Sequence, residues 1–256
     1  MACTFEVLFA PAEFRGLAGR DLSKTTCVVF DVLRATSTFV TALARGAAAI
    51  IPVGEISDAL AVRQQRPEVL LAGERAGHRI TAAQTGGVNF DLGNSPREYT
   101  AARVRGRTIV STTTNGTRAL RACAGAEAIL VGSFLNLKAI VRALCDRQAE
   151  SLLLVCAGTG EAASLEDTLA AGALCERLRR ARVPLDFLDS AIIASRVYHS
   201  CARDLVGGIR AARNASHLLA QPALRADVRF CLQRDCFDVV PQLHPDPVGA
   251  ITIPPR

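Results

Sequence analysis

The chain contains no tryptophan, and aromatic residues make up only 5% of its 256 positions. A core must therefore be assembled from Ala, Val, Leu and Ile, and the length is enough to bury a sizeable one. Lysine is nearly missing too: Lys24 and Lys138 are the only two, so the net charge of +6 rests on arginine. Two readings of that bias stand side by side. One is a genomic preference for arginine codons; the other is anion binding by planar guanidinium forks, which lysine cannot copy. The positive charges are scattered, without runs or interleaved aromatics, which argues against a nucleic-acid partner. The nine cysteines include no CxxC pair. They read as reduced, buried thiols of a cytoplasmic protein, not as a disulfide or zinc framework. No basic start leads into a long apolar stretch, so neither a signal peptide nor a membrane span is expected.

Several chemical motifs are also missing. Without GxxxxGK[ST], nucleoside triphosphate binding is not indicated. His78, His199, His217 and His244 show no HxH or HExxH spacing, which argues against zinc. Cys156 does not open a CxxxxxR loop, so it reads as a core thiol, with a place near the site left open.

What is present is an alternation of short apolar runs with Ala/Leu/Arg-rich amphipathic stretches. Strands are predicted at Phe5–Phe9, Cys27–Asp31, Ala48–Val53, Val69–Ala72, Thr108–Ser111, Ala128–Val131 and Leu152–Cys156. Helices are predicted at Thr36–Arg45, Ser57–Gln65, Pro96–Val104, Gly116–Ala124, Leu137–Gln148 and Ser164–Arg182. Asp189 to Asp235 reads as mostly helical, with short strands at Val239–Leu243 and Ala250–Ile253, and Ala76–Asn94 reads as one long polar loop. The alternation predicts an α/β fold, doubly wound, with a largely parallel sheet and helices on both faces. The segments after Val28 and after Thr108 echo each other as strand, polar turn, helix and a Gly-Ala-x-Ala-Ile strand entry. Convergence on a common βαβ pattern and an ancient duplication both account for the echo. The second reading gives two related lobes, 1–105 and 106–256, within one unit of 1–256, with the site at strand carboxyl ends between them.

In a doubly wound sheet, ligands bind where strand ends feed helix N-termini. Four such junctions are rich in polar and small residues. At the first, Asp31 ends an apolar strand and is followed by Arg34, Thr36 and Ser37; a carboxylate there can coordinate a hard cation or attack phosphorus. The same residues are also consistent with a simple turn and helix cap. The second carries Glu74 and Arg75, and a solvated acid–base pair in a turn is the better explanation of it when the segment is read in isolation. The third, Thr112-Thr113-Thr114-Asn115-Gly116-Thr117-Arg118, groups hydroxyls, an Asn-Gly turn and a guanidinium into a phosphate cradle that capping alone does not explain. The fourth brings Gly158, Thr159 and Gly160 ahead of Ser164, Glu166 and Asp167. Its glycines permit close ligand approach and its acids can bind a metal, although Ser164 with Asp167 also fits a capping box.

At these junctions the chain resembles the 2-phosphosulfolactate phosphatase family. The resemblance is carried by DVLRATST (Asp31–Thr38), LAGER (Leu71–Arg75), FDLGNSPREY (Phe90–Tyr99), TTTNGTRAL (Thr112–Leu120), GSFLN (Gly132–Asn136), CAGTG (Cys156–Gly160) and SLEDTLAAGA (Ser164–Ala173). It implies a Mg²⁺-dependent hydrolase, with Mn²⁺ able to substitute, that converts 2-phospho-3-sulfolactate to 3-sulfolactate on the way to coenzyme M. In that reading Asp31, Arg34, Glu74 and Arg118 are catalytic. Thr36, Ser37, Arg75, Asn94, Thr113, Thr114, Asn115, Gly116, Thr117, Gly158 and Thr159 hold substrate. Asp31 and Glu74, with Glu166 or Asp167, hold the metal, and Arg34, Arg75 and Arg118 share the substrate's three anions. A broader phosphate-ester phosphatase or mutase and a non-catalytic phospho-ligand sensor remain the competing classes, and a homo-oligomer is open.

Overall fold

The computed structural model describes residues 3–147, 149–244 and 249–254. It contains β1 (Cys3–Leu8), β2 (Thr25–Phe30), β3 (Ala49–Val53), β4 (Leu70–Arg75), β5 (His78–Arg79), β6 (Thr108–Thr112), β7 (Ala128–Gly132), β8 (Ser151–Cys156), β9 (Leu185–Phe187), β10 (Gln242–Leu243) and β11 (Ile251–Thr252). The helices are α1 (Ala35–Ala44), α2 (Ile56–Gln65), α3 (Ala82–Thr85), α4 (Ala101–Val104), α5 (Gly116–Ala122), α6 (Leu137–Cys145), α7 (Leu165–Arg180), α8 (Asp189–Cys201), α9 (Leu205–Ile209), α10 (Arg213–Ala220) and α11 (Arg225–Cys231).

The α/β architecture expected from the alternation is present: one mixed, mostly parallel sheet in the order β5-β4-β6-β3-β11-β10-β7-β2-β8-β1-β9. Strands β4, β6 and β3 form one parallel block, and β7, β2, β8, β1 and β9 form another. Between them, β10 and β11 pair antiparallel with each other and with their outer neighbours. Three successive reversals leave the two blocks running in opposite senses, so a flat sheet would put their carboxyl ends on opposite edges. Yet the turn after β6 packs against the turn after β2, because a Cβ at Gly116 would lie 2.9 Å from Asp31 Oδ2. Both sets of carboxyl ends therefore meet at one place, and the sheet does not lie flat between the two blocks. Strand pairing crosses the 105/106 boundary in both directions, since β6 joins β3 and β4 while β2 joins β7 and β8.

The core follows from strand periodicity. Along β2, Val28 and Phe30 pack into one apolar cluster with Leu169 and Leu174 of α7, while Cys27 and Val29 pack into another with Phe39 and Leu43 of α1. Both faces of this strand are covered, which is why it reads as an unbroken apolar run. A third cluster joins Ile51, Leu71 and Val110 with Ala59 of α2.

Several boundaries differ from expectation for local reasons. The predicted helix Pro96–Val104 is a 3₁₀ turn (Pro96–Glu98) followed by the single turn α4. Tyr99 turns inward to donate to the Gly93 carbonyl at 2.7 Å, and the Glu98 carboxylate accepts from the Gly93 amide at 3.1 Å, which interrupts the helix. The helix expected to reach Arg182 stops at Arg180, and Arg182 itself adopts φ 56°. The loop Ala76–Asn94 holds β5 and α3. The helix expected to end at Gln148 ends at Cys145, and Gln148 lies outside the described residues. All nine cysteines are free thiols. Among the described residues no helix is long and apolar enough to cross a membrane.

Candidate active site

β2 is buried along its whole length, and the chain turns directly from Phe30 through Asp31 toward α1. The turn is closed by reciprocal bonds: the Asp31 amide donates to Thr36 Oγ1 at 3.0 Å, and the Thr36 amide donates to the Asp31 carbonyl at 2.9 Å. Asp31 Oδ1 accepts from the Ala35 amide at 3.1 Å, while no described protein donor reaches Oδ2. Asp31 lines a cavity of about 360 Å³. Burial pushes its carboxyl up to about 7; the Ala35 amide opposes that shift, the Glu74 and Glu166 carboxylates add to it, and Arg34 offsets part of it.

Glu74, near the end of β4, reaches the same cavity. Its Oε1 accepts from the Thr114 amide at 3.1 Å and from Thr114 Oγ1 at 2.9 Å, and its Oε2 accepts from the Gly77 amide at 2.8 Å. The carboxylate thus fixes the Thr-rich loop after β6. Thr113, Thr114 and Asn115 line the cavity, with Asn94 and Thr159. Thr113 and Thr117 share a hydroxyl contact of 3.3 Å, and Asn115 Oδ1 accepts from the Gly160 amide at 3.4 Å.

The two acids after β8 have separate tasks. Asp167 is fully enclosed, with Oδ1 accepting from the Val32 amide at 2.8 Å and Oδ2 from the Gly158 amide at 3.1 Å. It ties the β2 turn to the β8 turn, and burial together with the Glu166 and Asp31 charges pushes its carboxyl upward. Glu166 Oε1 accepts from Asn214 Nδ2 at 2.7 Å, and burial raises its carboxyl against that bond. Asp31 thus feels the like charges of Glu74 and Glu166, and Asp167 those of Glu166 and Asp31. Among the described residues no three His, Cys, Asp or Glu side chains stand as a ready group for a metal. That donor set suits a hard cation that keeps several waters and takes one or two carboxylates plus substrate oxygens, and Asp31 Oδ2 is an oxygen that no described residue bonds.

Of the three arginines expected to meet anions, only Arg34 lines the cavity. It is buried, with one amine 2.8 Å from Asp227 Oδ2 and another donating to the Gly77 carbonyl at 2.6 Å. Arg75 donates to the Glu74 carbonyl at 2.8 Å and to Thr112 Oγ1 at 3.0 Å, away from the cavity. Arg118 points outward, pairing with Glu161 at 2.6 Å and lying over the Phe14 ring at 5.9 Å. Ser37 Oγ donates to the Val32 carbonyl at 2.8 Å, and Thr36 Oγ1 serves the Asp31 turn, so both stabilise the loop from within. Gly116 gives α5 close access to Asp31, and Gly158, at φ 64°, has its Cβ position occupied by the Ala162 carbonyl 2.5 Å away.

Sequence reasoning missed the opposite wall. Arg213, Asn214, His217 and Leu218 of α10 line the cavity, and Asp227 of α11 anchors Arg34 while also accepting from Ser95 Oγ at 2.7 Å. The available signal was Arg213, Asn214 and His217 at spacings that share one helix face.

A cavity of carboxylates and hydroxyls at converging strand ends defines an α/β enzyme with a site for a small polar ligand. A family model described as 2-phosphosulpholactate phosphatase matches residues 15–246. The chain is 44% identical over 218 residues to a protein of Thermotoga petrophila named probable 2-phosphosulfolactate phosphatase, covering 85% of this chain and 88% of that one. A protein of Caldanaerobacter subterraneus subsp. tengcongensis with the same name is 37% identical over 236 residues, covering 90% and 92%. The chain belongs to the 2-phosphosulfolactate phosphatase family and is a phosphoric monoester hydrolase.

Proposed function

We propose that the protein hydrolyses 2-phospho-3-sulfolactate to 3-sulfolactate and phosphate in the cytoplasm, with Mg²⁺ as its cofactor and Mn²⁺ as a substitute. The observation that carries this reading is Asp31. It stands at a strand end, buried, with one oxygen unclaimed by any described residue, and it shares the cavity with a loop of hydroxyls. Phosphoryl transfer asks for positioning and charge neutralisation more than for elaborate acid–base apparatus, and this cavity is arranged for positioning.

In this reading Thr113, Thr114 and Asn115 hold phosphate oxygens, and Asn94 and Thr159 bound the sides of the cavity. Glu74 keeps Thr114 in place through its two bonds, and Asp167 holds the Asp31 and Gly158 turns at a fixed separation. Asp31 and Glu74, supported by the negative field of Glu166, would hold Mg²⁺. When bound, the ion supplies positive charge that neutralises carboxylate repulsion and phosphate oxygens. Phosphate release from 2-phospho-3-sulfolactate, measured with Mg²⁺, with Mn²⁺ and after exhaustive chelation, tests the reading. Release that persists unchanged after chelation contradicts the cofactor assignment; no release under any condition contradicts the activity.

A further inference from the structure

The inner wall of the cavity is acidic. Asp31 and Glu74 line it, and its one guanidinium, that of Arg34, is already neutralised by Asp227 at 2.8 Å. The outer wall, made by α10, is different. Arg213 and His217 lie four residues apart and so share a helix face toward the cavity. Arg213 is exposed, and among the described residues its side chain has neither an ion-pair partner nor a hydrogen bond. Its neighbour Asn214 is firmly held: Nδ2 donates to Thr159 Oγ1 at 2.8 Å and to Glu166 Oε1 at 2.7 Å. The helix is thereby fixed to the loops of the site, while the adjoining guanidinium has no partner among the described residues.

We propose that Arg213 is the specificity-determining residue that binds the acid group the substrate keeps, opposite the phosphate it loses. This rests on the phosphatase reading above. A short phosphate ester seated with its phosphate at Asp31 and the Thr113–Asn115 loop extends the rest of its skeleton toward α10. There a second anion meets the one cavity-lining arginine, among the described residues, that no carboxylate neutralises. The guanidinium fork fits a planar carboxylate and a sulfonate alike, so the chemistry shared by both is assigned to this residue. His217 stands beside it on the same face.

The test is kcat/KM for the wild type, Arg213→Ala and Arg213→Lys on four phosphate esters. These are 2-phospho-3-sulfolactate, 2-phospholactate (carboxylate only), 2-phosphooxyethanesulfonate (sulfonate only) and propyl phosphate (neither). Arg213→Ala should lose on the order of tenfold to hundredfold on esters bearing the acid group it reads, mostly through KM. Propyl phosphate should change less than about twofold by the same reasoning, since uniform binding at that position is absent for it. Arg213→Lys should recover part of the loss, and the two single-acid esters show which group is read. Equal losses on all four esters, or none on any, overturn the proposal while leaving the phosphatase reading intact. A wild type that releases phosphate from none of them overturns both.

Discussion

A methyl group on Gly116 would stand 2.9 Å from Asp31 Oδ2 and 2.8 Å from the Cβ of Ala35. The first turn of α5 thus lies against the Asp31 oxygen that no described residue hydrogen-bonds. No flexible side-chain end is available to yield, because Ala35 is buried and Asp31 is held by the Ala35 amide. Gly116→Ala should therefore push the loop after β6 away from Asp31. We expect a folded protein, destabilised by about 1–3 kcal/mol as for other overpacked positions, with kcat reduced at least about tenfold by the misplacement. Wild-type kcat in the variant would show that this close approach is dispensable.

The raised carboxyl of Asp31 has a definite pH consequence in metal-free protein. Its folded value of about 7 exceeds the ordinary 3.8, so the folded state holds the proton more tightly. That contribution to stability is complete below the ordinary value and is lost as pH rises through the folded one. Asp31→Asn abolishes this titration. Its melting temperature minus that of the wild type should therefore increase between about pH 4 and pH 8 in EDTA. Adding Mg²⁺ at the upper end should raise the wild-type melting temperature and leave the variant unchanged. Parallel pH curves, or equal Mg²⁺ shifts, would contradict the role given to this carboxylate.

Arg34 and Asp227 form a buried pair with side-chain exposures of 3% and 0%. It pins the turn after β2 to α11, and Asp227 also receives Ser95. Removing one charge strands the other, so Asp227→Asn should cost about 3–5 kcal/mol in denaturant unfolding. Arg34→Met combined with Asp227→Leu should regain much of that loss, because an apolar pair avoids the desolvation penalty. Additive losses in the double variant would mean the pair contributes more than packing can replace.

Arg118 pairs with Glu161 on the surface, its side chain 44% exposed, and does not line the cavity. Exposed pairs of this kind contribute little. Arg118→Lys and Arg118→Ala should each leave kcat/KM within about twofold of wild type, as expected for a residue outside the site. A tenfold loss on every ester would place its guanidinium at the substrate after all.

Sequence made the strand-end half of the site visible because its signals are local. An apolar run ending in Asp31, a second ending near Glu74, and the hydroxyl cluster Thr113–Thr114 each announce a loop at a sheet edge, and the structure brings all of them to one cavity. Spacing alone could not say which way the arginines point: Arg75 and Arg118 share those junctions but bond elsewhere. Nor could it supply the far wall. Arg213 and Asp227 come from ordinary-looking helices more than a hundred residues past Asp31, and only tertiary packing brings them near it. The two short strands at the end of the chain were legible, but not their place: β10 and β11, two residues each, pair antiparallel between the two parallel blocks. Inside α7, the adjacent acids Glu166 and Asp167 both read as metal-binding candidates in sequence, with a capping box open to Asp167. The structure separates them: Asp167 clamps two backbone turns, and Glu166 meets Asn214.

The central claim is that the free oxygen of Asp31 serves hydrolysis of a phosphate ester in this cavity. It is tested most directly by measuring phosphate release from 2-phospho-3-sulfolactate by wild type and Asp31→Asn side by side, in Mg²⁺, with circular dichroism confirming that both are folded. The account predicts steady turnover by the wild type and none by the variant. Comparable turnover by a folded Asp31→Asn protein would contradict it.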